Sequence, residues 1–345
     1  MTSYNKIVGG ICILIGMLLL QGCVQVTHSP VIAKSSETVT YTAKAVYIAK
    51  APATVQIYVN GALAKTCNGV AAGGTCSYVG GPYPTYQGAT VSYLARMTDS
   101  NGQTNTAGFY YFAITNNSYT WSLNAMPARV SGTTQEREDL VFHRATDYTS
   151  FGTFIGAVED KMYDVYAQQA TINLPSNFDS FNFWVYSRAA TTTSCGTVDA
   201  LADTDIPWRD DDAVLHAADF QDCTNLGLNH FTAEGHNTKA FLHESGHAVF
   251  GLADEYDGPT AYFEPAIEPN IWDTEAECRA EQTAKGRDPN ACWRFTTLSG
   301  GWWGIHKLAS SAVPSTVMQQ GMVGDPWGIE AGERVDWFFR EGIGR

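Results

Sequence analysis

The segment that most restricts this chain is His243-Glu244-Ser245-Gly246-His247. Two histidines four residues apart converge only if the segment is helical, where they differ by about 40° in direction and about 6 Å in height. Both imidazoles then reach one ion, at about 2.1 Å each if it is zinc. Glu244, beside the first histidine, sits at the flank of that face, placed to accept a proton without being a ligand. The neighbouring residues favour the same helix. Asn237 or Thr238 caps its start. Phe241, Leu242, Ala248, Val249 and Leu252 fall on the side opposite the histidines, and Gly251 suits a left-handed stop.

The N-terminus carries an address. Lys6 precedes a short apolar run, Ile7–Leu20, sized for a signal peptide and short for a membrane span. It ends in Leu20-Gln21-Gly22-Cys23, a pattern that resembles a bacterial lipobox. The expectation is a signal over residues 1–22, a lipidated Cys23, and a polar tether through residue 37. Val24 follows the cysteine, with no aspartate to signal inner-membrane retention. The localisation expected is the bacterial cell envelope, lipid-anchored at the outer membrane. A net charge of −14 argues against nucleic acid or an anionic bilayer as an electrostatic partner.

Of the 8 cysteines, Cys12 leaves with the signal and Cys23 takes the lipid. Cys67, Cys76, Cys195, Cys223, Cys278 and Cys292 remain, and an even set in an exported chain implies disulfides. Sequential pairing is the simplest arrangement: 67–76, 195–223 and 278–292. Residues 38–117 read as a small all-β, Ig-like sandwich. Thr38–Tyr47 alternates, Asn60-Gly61 signals a type I′ hairpin, and Val91–Met97 and Phe109–Ile114 continue the pattern. A Cys67–Cys76 bond would staple a hairpin with a Gly/Ala-rich tip.

Asn116-Asn117-Ser118 marks a boundary, beyond which helix and strand patterns mix over residues 118–345. Phe154, Val158, Met162 and Val165 follow helical spacing, and Phe181–Tyr186 and Ala213–His216 read as strands. Asp210-Asp211-Asp212 is either a calcium ligand set or, more simply, a solvated turn. The late tryptophans Trp302, Trp303, Trp327 and Trp337 suit a core or a cleft.

The stretch His243–Tyr256, HESGHAVFGLADEY, resembles the metzincin-like zinc peptidases, and most closely the bacterial IgA-peptidase-type family. Ser315-Thr316-Val317-Met318 is similar to the family's Met-turn, with Met322 a weaker alternative. The resemblance implies an α+β, metzincin-like zinc peptidase domain behind the sandwich, with Ala213–His216 as the rim strand that grips an extended substrate. It departs from the common pattern at Phe250, where metzincins have glycine; the IgA-peptidase-type pattern shares the longer form. Asp254 is the first choice for third zinc ligand, followed by Glu255 and then a distant residue. Tyr256 either packs or stabilises an oxyanion. His236, just before the helix, is either an outer partner of the site or simply exposed, and His143, His216, His230 and His306 lack ligand spacing.

The function expected is zinc-dependent endopeptidase action on a protein or glycoprotein, with Glu244 as general base and Zn2+ held by His243, His247 and Asp254. The alternative is a surface glycan- or protein-binding lipoprotein whose metal helix is not catalytic.

Overall fold

The computed structural model describes residues 23–83, 89–119, 121, 123–167, 177–188, 202–220, 222–225, 229–256, 270–296, 301–305, 318 and 328–342. The first unit is a two-sheet sandwich. Its strands are β1 (Cys23–Ser29), β2 (Ala33–Lys34), β3 (Val39–Tyr47), β4 (Ala53–Val59), β5 (Ala62–Val70), β6 (Thr75–Gly80), β7 (Ala89–Thr98) and β8 (Thr104–Thr115). One sheet runs β1-β3-β6 and the other β2-β8-β7-β4-β5. Val39, Tyr41, Ala43 and Ala45 point inward from β3 and meet Val55, Ile57, Tyr93 and Phe112 from the facing sheet. This is the period-2 alternation of a half-buried strand. Asn60 and Gly61 have φ of 49° and 77°, both positive, as a type I′ turn requires. The Ig-like sandwich read from the sequence is therefore present.

Two details correct the sequence reading. The expected tether over residues 23–37 is folded. β1 pairs along β3, with Val26 opposite Ala43, and Val31 and Ile32 are fully buried. Small polar residues gave the segment a linker's composition, but alternate positions face the core. The Cys67–Cys76 disulfide does form, yet it does not staple a hairpin. β5 pairs with β4 and β6 pairs with β3, so the bond ties one sheet to the other.

The second unit is built on a mixed sheet ordered β13-β14-β12-β10-β11-β9. These strands are β9 (Ala125–Arg129), β10 (Glu138–Arg144), β11 (Phe181–Tyr186), β12 (Asp211–His216), β13 (Cys223–Asn225) and β14 (His230–Glu234). β10, β11, β12 and β14 are mutually parallel, and β9 and β13 are antiparallel edges. Helix α1 (Phe151–Asp160) continues into a wider turn, Lys161–Tyr166, and helix α2 (Thr238–Ala248) follows β14. Phe154, Val158, Met162, Phe241 and Leu242 cover Leu140, Phe142, Phe183 and Phe231 of the sheet in one core. Beyond it lie α3 (Glu275–Ala284), β15 (Cys292–Phe295), β16 (Trp302–Ile305) and α4 (Gly328–Trp337). The Cys278–Cys292 disulfide joins α3 to β15.

Among the described residues 43% lie in strands and 24% in helices. The chain is mostly β, and the expected α+β, metzincin-like peptidase fold is overturned. The resemblance rested chiefly on one helix and the turn after it. Such a motif fixes local geometry and does not constrain how much strand surrounds it. The rim-strand assignment fails with it. β12 lies between β10 and β14, and all six of its residues are buried. A strand hydrogen-bonded on both sides has no free edge to offer.

The two units share a core. Val31, Ile32 and Ala113 of the sandwich pack in the same cluster as Met126 and Phe183. Arg129, fully buried, lies between the Tyr110 ring (3.9 Å) and the Phe178 ring (4.0 Å) and pairs with Asp179. The Tyr110 hydroxyl donates to the same carboxylate at 2.7 Å.

Candidate metal centre

Helix α2 begins where its sequence allows. Asn237 is the cap, its Oδ1 accepting from the Ala240 N–H at 3.1 Å. The apolar residues turn into the core, and His243, Glu244 and His247 are 5%, 6% and 8% exposed. Polar side chains so deeply enclosed require partners. The helix ends at Gly251, whose φ is +64° and whose N–H donates to the His247 carbonyl. A left-handed residue here turns the chain back toward the histidines. Arg334 of α4 donates from Nε to the Phe250 carbonyl at 2.8 Å, satisfying another carbonyl at the helix end.

The turn delivers Asp254. Its Oδ1 lies 3.2 Å from His243 Nε2 and 3.3 Å from His247 Nε2, and the two nitrogens are 3.3 Å apart. Three ligands held about 2.0–2.1 Å from a tetrahedral ion are separated by about 3.3–3.4 Å, so this triangle matches one face of a zinc tetrahedron. Among the described residues this is the one group of three or more such side chains whose ligand atoms all lie within 4.8 Å. The donor set of two imidazoles and a carboxylate therefore fits a metal ion. His247 Nδ1 lies 2.7 Å from the Leu252 carbonyl. Donation there fixes the tautomer and leaves Nε2 as the lone-pair nitrogen.

The electrostatics follow from this contact. Burial works to raise the Asp254 carboxyl, but hydrogen bonds from His243 and His247 outweigh it and hold it well below the usual carboxylate range. Burial works to lower His247, and the hydrogen bond to Asp254 outweighs that, raising the imidazole to about 9. A buried anion beside two imidazoles calls for positive charge, which a proton or a metal ion supplies.

Glu255 faces elsewhere. Its Oε1 accepts from Asn270 Nδ2 at 3.0 Å, and its N–H donates to the Met318 carbonyl at 2.8 Å. Asn270 also exchanges hydrogen bonds with both backbone groups of Ala253, which pins the turn that carries Asp254. Met318 is fully buried; residues 315–317 and Met322 lie outside the described residues. Tyr256 lies with its ring 6.5 Å from that of His243. Glu244 is held by Thr224 of edge strand β13, whose hydroxyl donates to Oε2 at 2.6 Å.

No family model and no curated protein matches this chain. Among solved structures, a CARDB domain from Pyrococcus furiosus in complex with di-metal ions is similar at 18% identity and a TM-score of 0.22, over 33% of this chain and 99% of that one. A structure of a 1.5-MDa bacterial ice-binding adhesin is similar at 18% identity and a TM-score of 0.22, over 30% of this chain and 34% of that one. A bacterial immunoglobulin-like domain of the M. primoryensis ice-binding adhesin is similar at 20% identity and a TM-score of 0.21, over 28% of this chain and 98% of that one.

The remaining candidates separate. The acidic triplet divides. Asp210 accepts from the Asp139 N–H, and Asp211 pairs with Glu138. Asp212 binds His143, His230 and Arg209 at 2.6–2.8 Å. Carboxylates aimed at three different partners do not make a calcium cage, and two of them are buried, so they are not a solvated turn either. His236 is largely exposed and faces Asp219. Cys223 is disulfide-bonded, while Cys195 lies outside the described residues. Cys23 opens β1, is largely buried, and is also disulfide-bonded.

Thr224 and Asn270 were not legible in the sequence. A threonine in Asp222-Cys223-Thr224-Asn225 and an asparagine well beyond the helix carry no spacing signal. Only the fold brings them to Glu244 and Asp254.

Proposed function

We propose that this chain is a zinc-dependent endopeptidase, and the observation that carries the reading is the triangle of His243, His247 and Asp254 with Glu244 beside it. Zinc held by these three residues supplies a Lewis acid that polarises a carbonyl and lowers the pKa of water from 15.7 toward about 7. The rest belongs to the chain. Thr224 occupies Oε2 of Glu244, leaving Oε1 to take a proton from the attacking water and return it to the leaving amine. Burial of Glu244 strengthens that exchange by excluding competing solvent. The motif-level resemblance of His243–Tyr256 to IgA-peptidase-type enzymes supports the same reading.

The test is digestion of casein and of a glycoprotein by the purified protein, with and without chelator, alongside Glu244→Gln. Wild-type cleavage that chelation abolishes and zinc restores, with Glu244→Gln inactive but still metal-loaded, supports it. Undiminished cleavage by Glu244→Gln overturns the assigned base. A second reading, a surface glycan- or protein-binding protein with a non-catalytic metal helix, draws on the eight-stranded sandwich, which peptide hydrolysis does not itself require. Glycan binding without any proteolysis would favour it.

We place the protein in the bacterial cell envelope, anchored by lipid on Cys23 after removal of residues 1–22. Among the described residues no helix is long and apolar enough to cross a membrane. A thioether at Cys23 and its disulfide exclude one another, so mass spectrometry of the N-terminal peptide decides between them.

A further inference from the structure

A cavity of about 520 Å³ opens at the carboxyl ends of the parallel strands β10 and β11. None of the metal-centre residues lines it. Its walls come from the connection between the two units (Tyr119, Trp121), the last residue of β10 (Arg144), the first of α1 (Phe151) and the residues after β11, including Arg188. This is the place where open α/β sheets offer a crevice, and the volume lies within the range of small-molecule sites.

Three observations describe what the cavity asks for. First, Arg144 has no carboxylate partner among the described residues, and its Nε is buried without an acceptor. Arg188, by contrast, is already paired with Asp205 at 2.9 Å. An unpaired guanidinium is conspicuous in a chain of net charge −14. Second, the indole of Trp121 adds a further ring to the wall. Third, the walls are aromatic. Tyr119 and Phe151 meet with ring centroids 5.1 Å apart and planes tilted by 35°, and the Arg144 guanidinium lies 5.4 Å from the Phe151 centroid. Tyr119 holds this position with φ of +56°, a left-handed conformation that non-glycine residues rarely adopt and that clusters at ligand sites.

We propose that this cavity binds a carboxylate carried on a sugar-sized ring, as in an acidic monosaccharide. The carboxylate pairs with the Arg144 guanidinium, and the ring lays its C–H face against the aromatic wall. A neutral sugar leaves the guanidinium unmatched, and a bare carboxylate leaves the rings uncovered.

The test is calorimetric titration of the full chain with sodium glucuronate, glucose and sodium acetate. Glucuronate should bind at least about tenfold more tightly than either of the others. Arg144→Gln should weaken it by about tenfold, with an unchanged thermal midpoint. Glu244→Gln should bind like wild type, which separates this site from the peptidase reading. No heat with glucuronate up to about 10 mM, glucose or acetate equal to glucuronate, or undiminished affinity in folded Arg144→Gln would each overturn the proposal.

Discussion

At the scale of single residues the candidate metal centre depends on side chains that are not themselves candidate ligands. Asn270 holds the turn that presents Asp254, and Asn270→Ala should reduce zinc affinity by roughly 10–100-fold, the usual cost of losing an outer partner, as measured by competition with a chromogenic chelator. Thr224→Val should leave zinc content unchanged and lower kcat by roughly tenfold, because Glu244 loses the hydroxyl that orients Oε2. A second group of residues titrates. Asp139 is raised to about 6 and Asp211 to about 7, burial being the main cause in each. A carboxyl raised in the fold binds its proton more tightly there than in the unfolded chain. Its contribution to stability is complete below a pH of about 4 and is lost as the pH climbs through about 6–7. Asp211→Asn should therefore raise Tm at pH 8 by roughly 2–4 °C and leave it unchanged at pH 4, read by circular dichroism.

At the scale of elements, local pattern and pairing partner separate cleanly. β11 occupies Phe181–Tyr186 as its compact apolar run anticipates, and β3 follows the alternation from Val39. Helical spacing at Phe154, Val158, Met162 and Val165 is met by α1 and the wider turn that extends it. What the pattern cannot contain is the neighbour. β12 has the residues of a strand, and nothing in them says whether it lies at the rim or the centre. The Cys67–Cys76 pairing was legible from spacing, whereas its role as a tie between sheets was not. Reduction of that bond by a Cys67→Ala/Cys76→Ala pair should cost about 2–3 kcal/mol in urea unfolding. Gly251 shows the same division. A glycine stop could be read from the helix pattern, but a methyl group there would also lie 2.9 Å from Arg334, which only the fold reveals.

At the scale of the whole molecule the sandwich and the second unit are one folding entity. Sandwich residues lie in the second unit's core, and Arg129 is enclosed by groups from both. Removing the sandwich exposes that core, so its deletion should abolish the proposed peptidase activity on a short peptide as fully as on a glycoprotein. Equal loss on both substrates, with the second unit insoluble or unfolded, is the expected outcome. Calorimetry of the intact chain should show a single transition, and Arg129→Ala should lower stability by roughly 2–5 kcal/mol by emptying the space between the Tyr110 and Phe178 rings and removing the ion pair of Asp179.

The amino-acid order alone determined the helix that carries His243 and His247, its glycine stop and most strand positions, because each depends on backbone preference within a few residues; the Cys67–Cys76 and Cys278–Cys292 pairings it offered only as the simplest by spacing. Tertiary structure alone decided that residues 23–37 are folded into the sandwich rather than a tether, that β12 is central, that Asp254 rather than Glu255 meets the imidazoles, and that Thr224 and Asn270 support them. These outcomes depend on which distant segments come to lie side by side, and burial selects that arrangement over the whole chain at once.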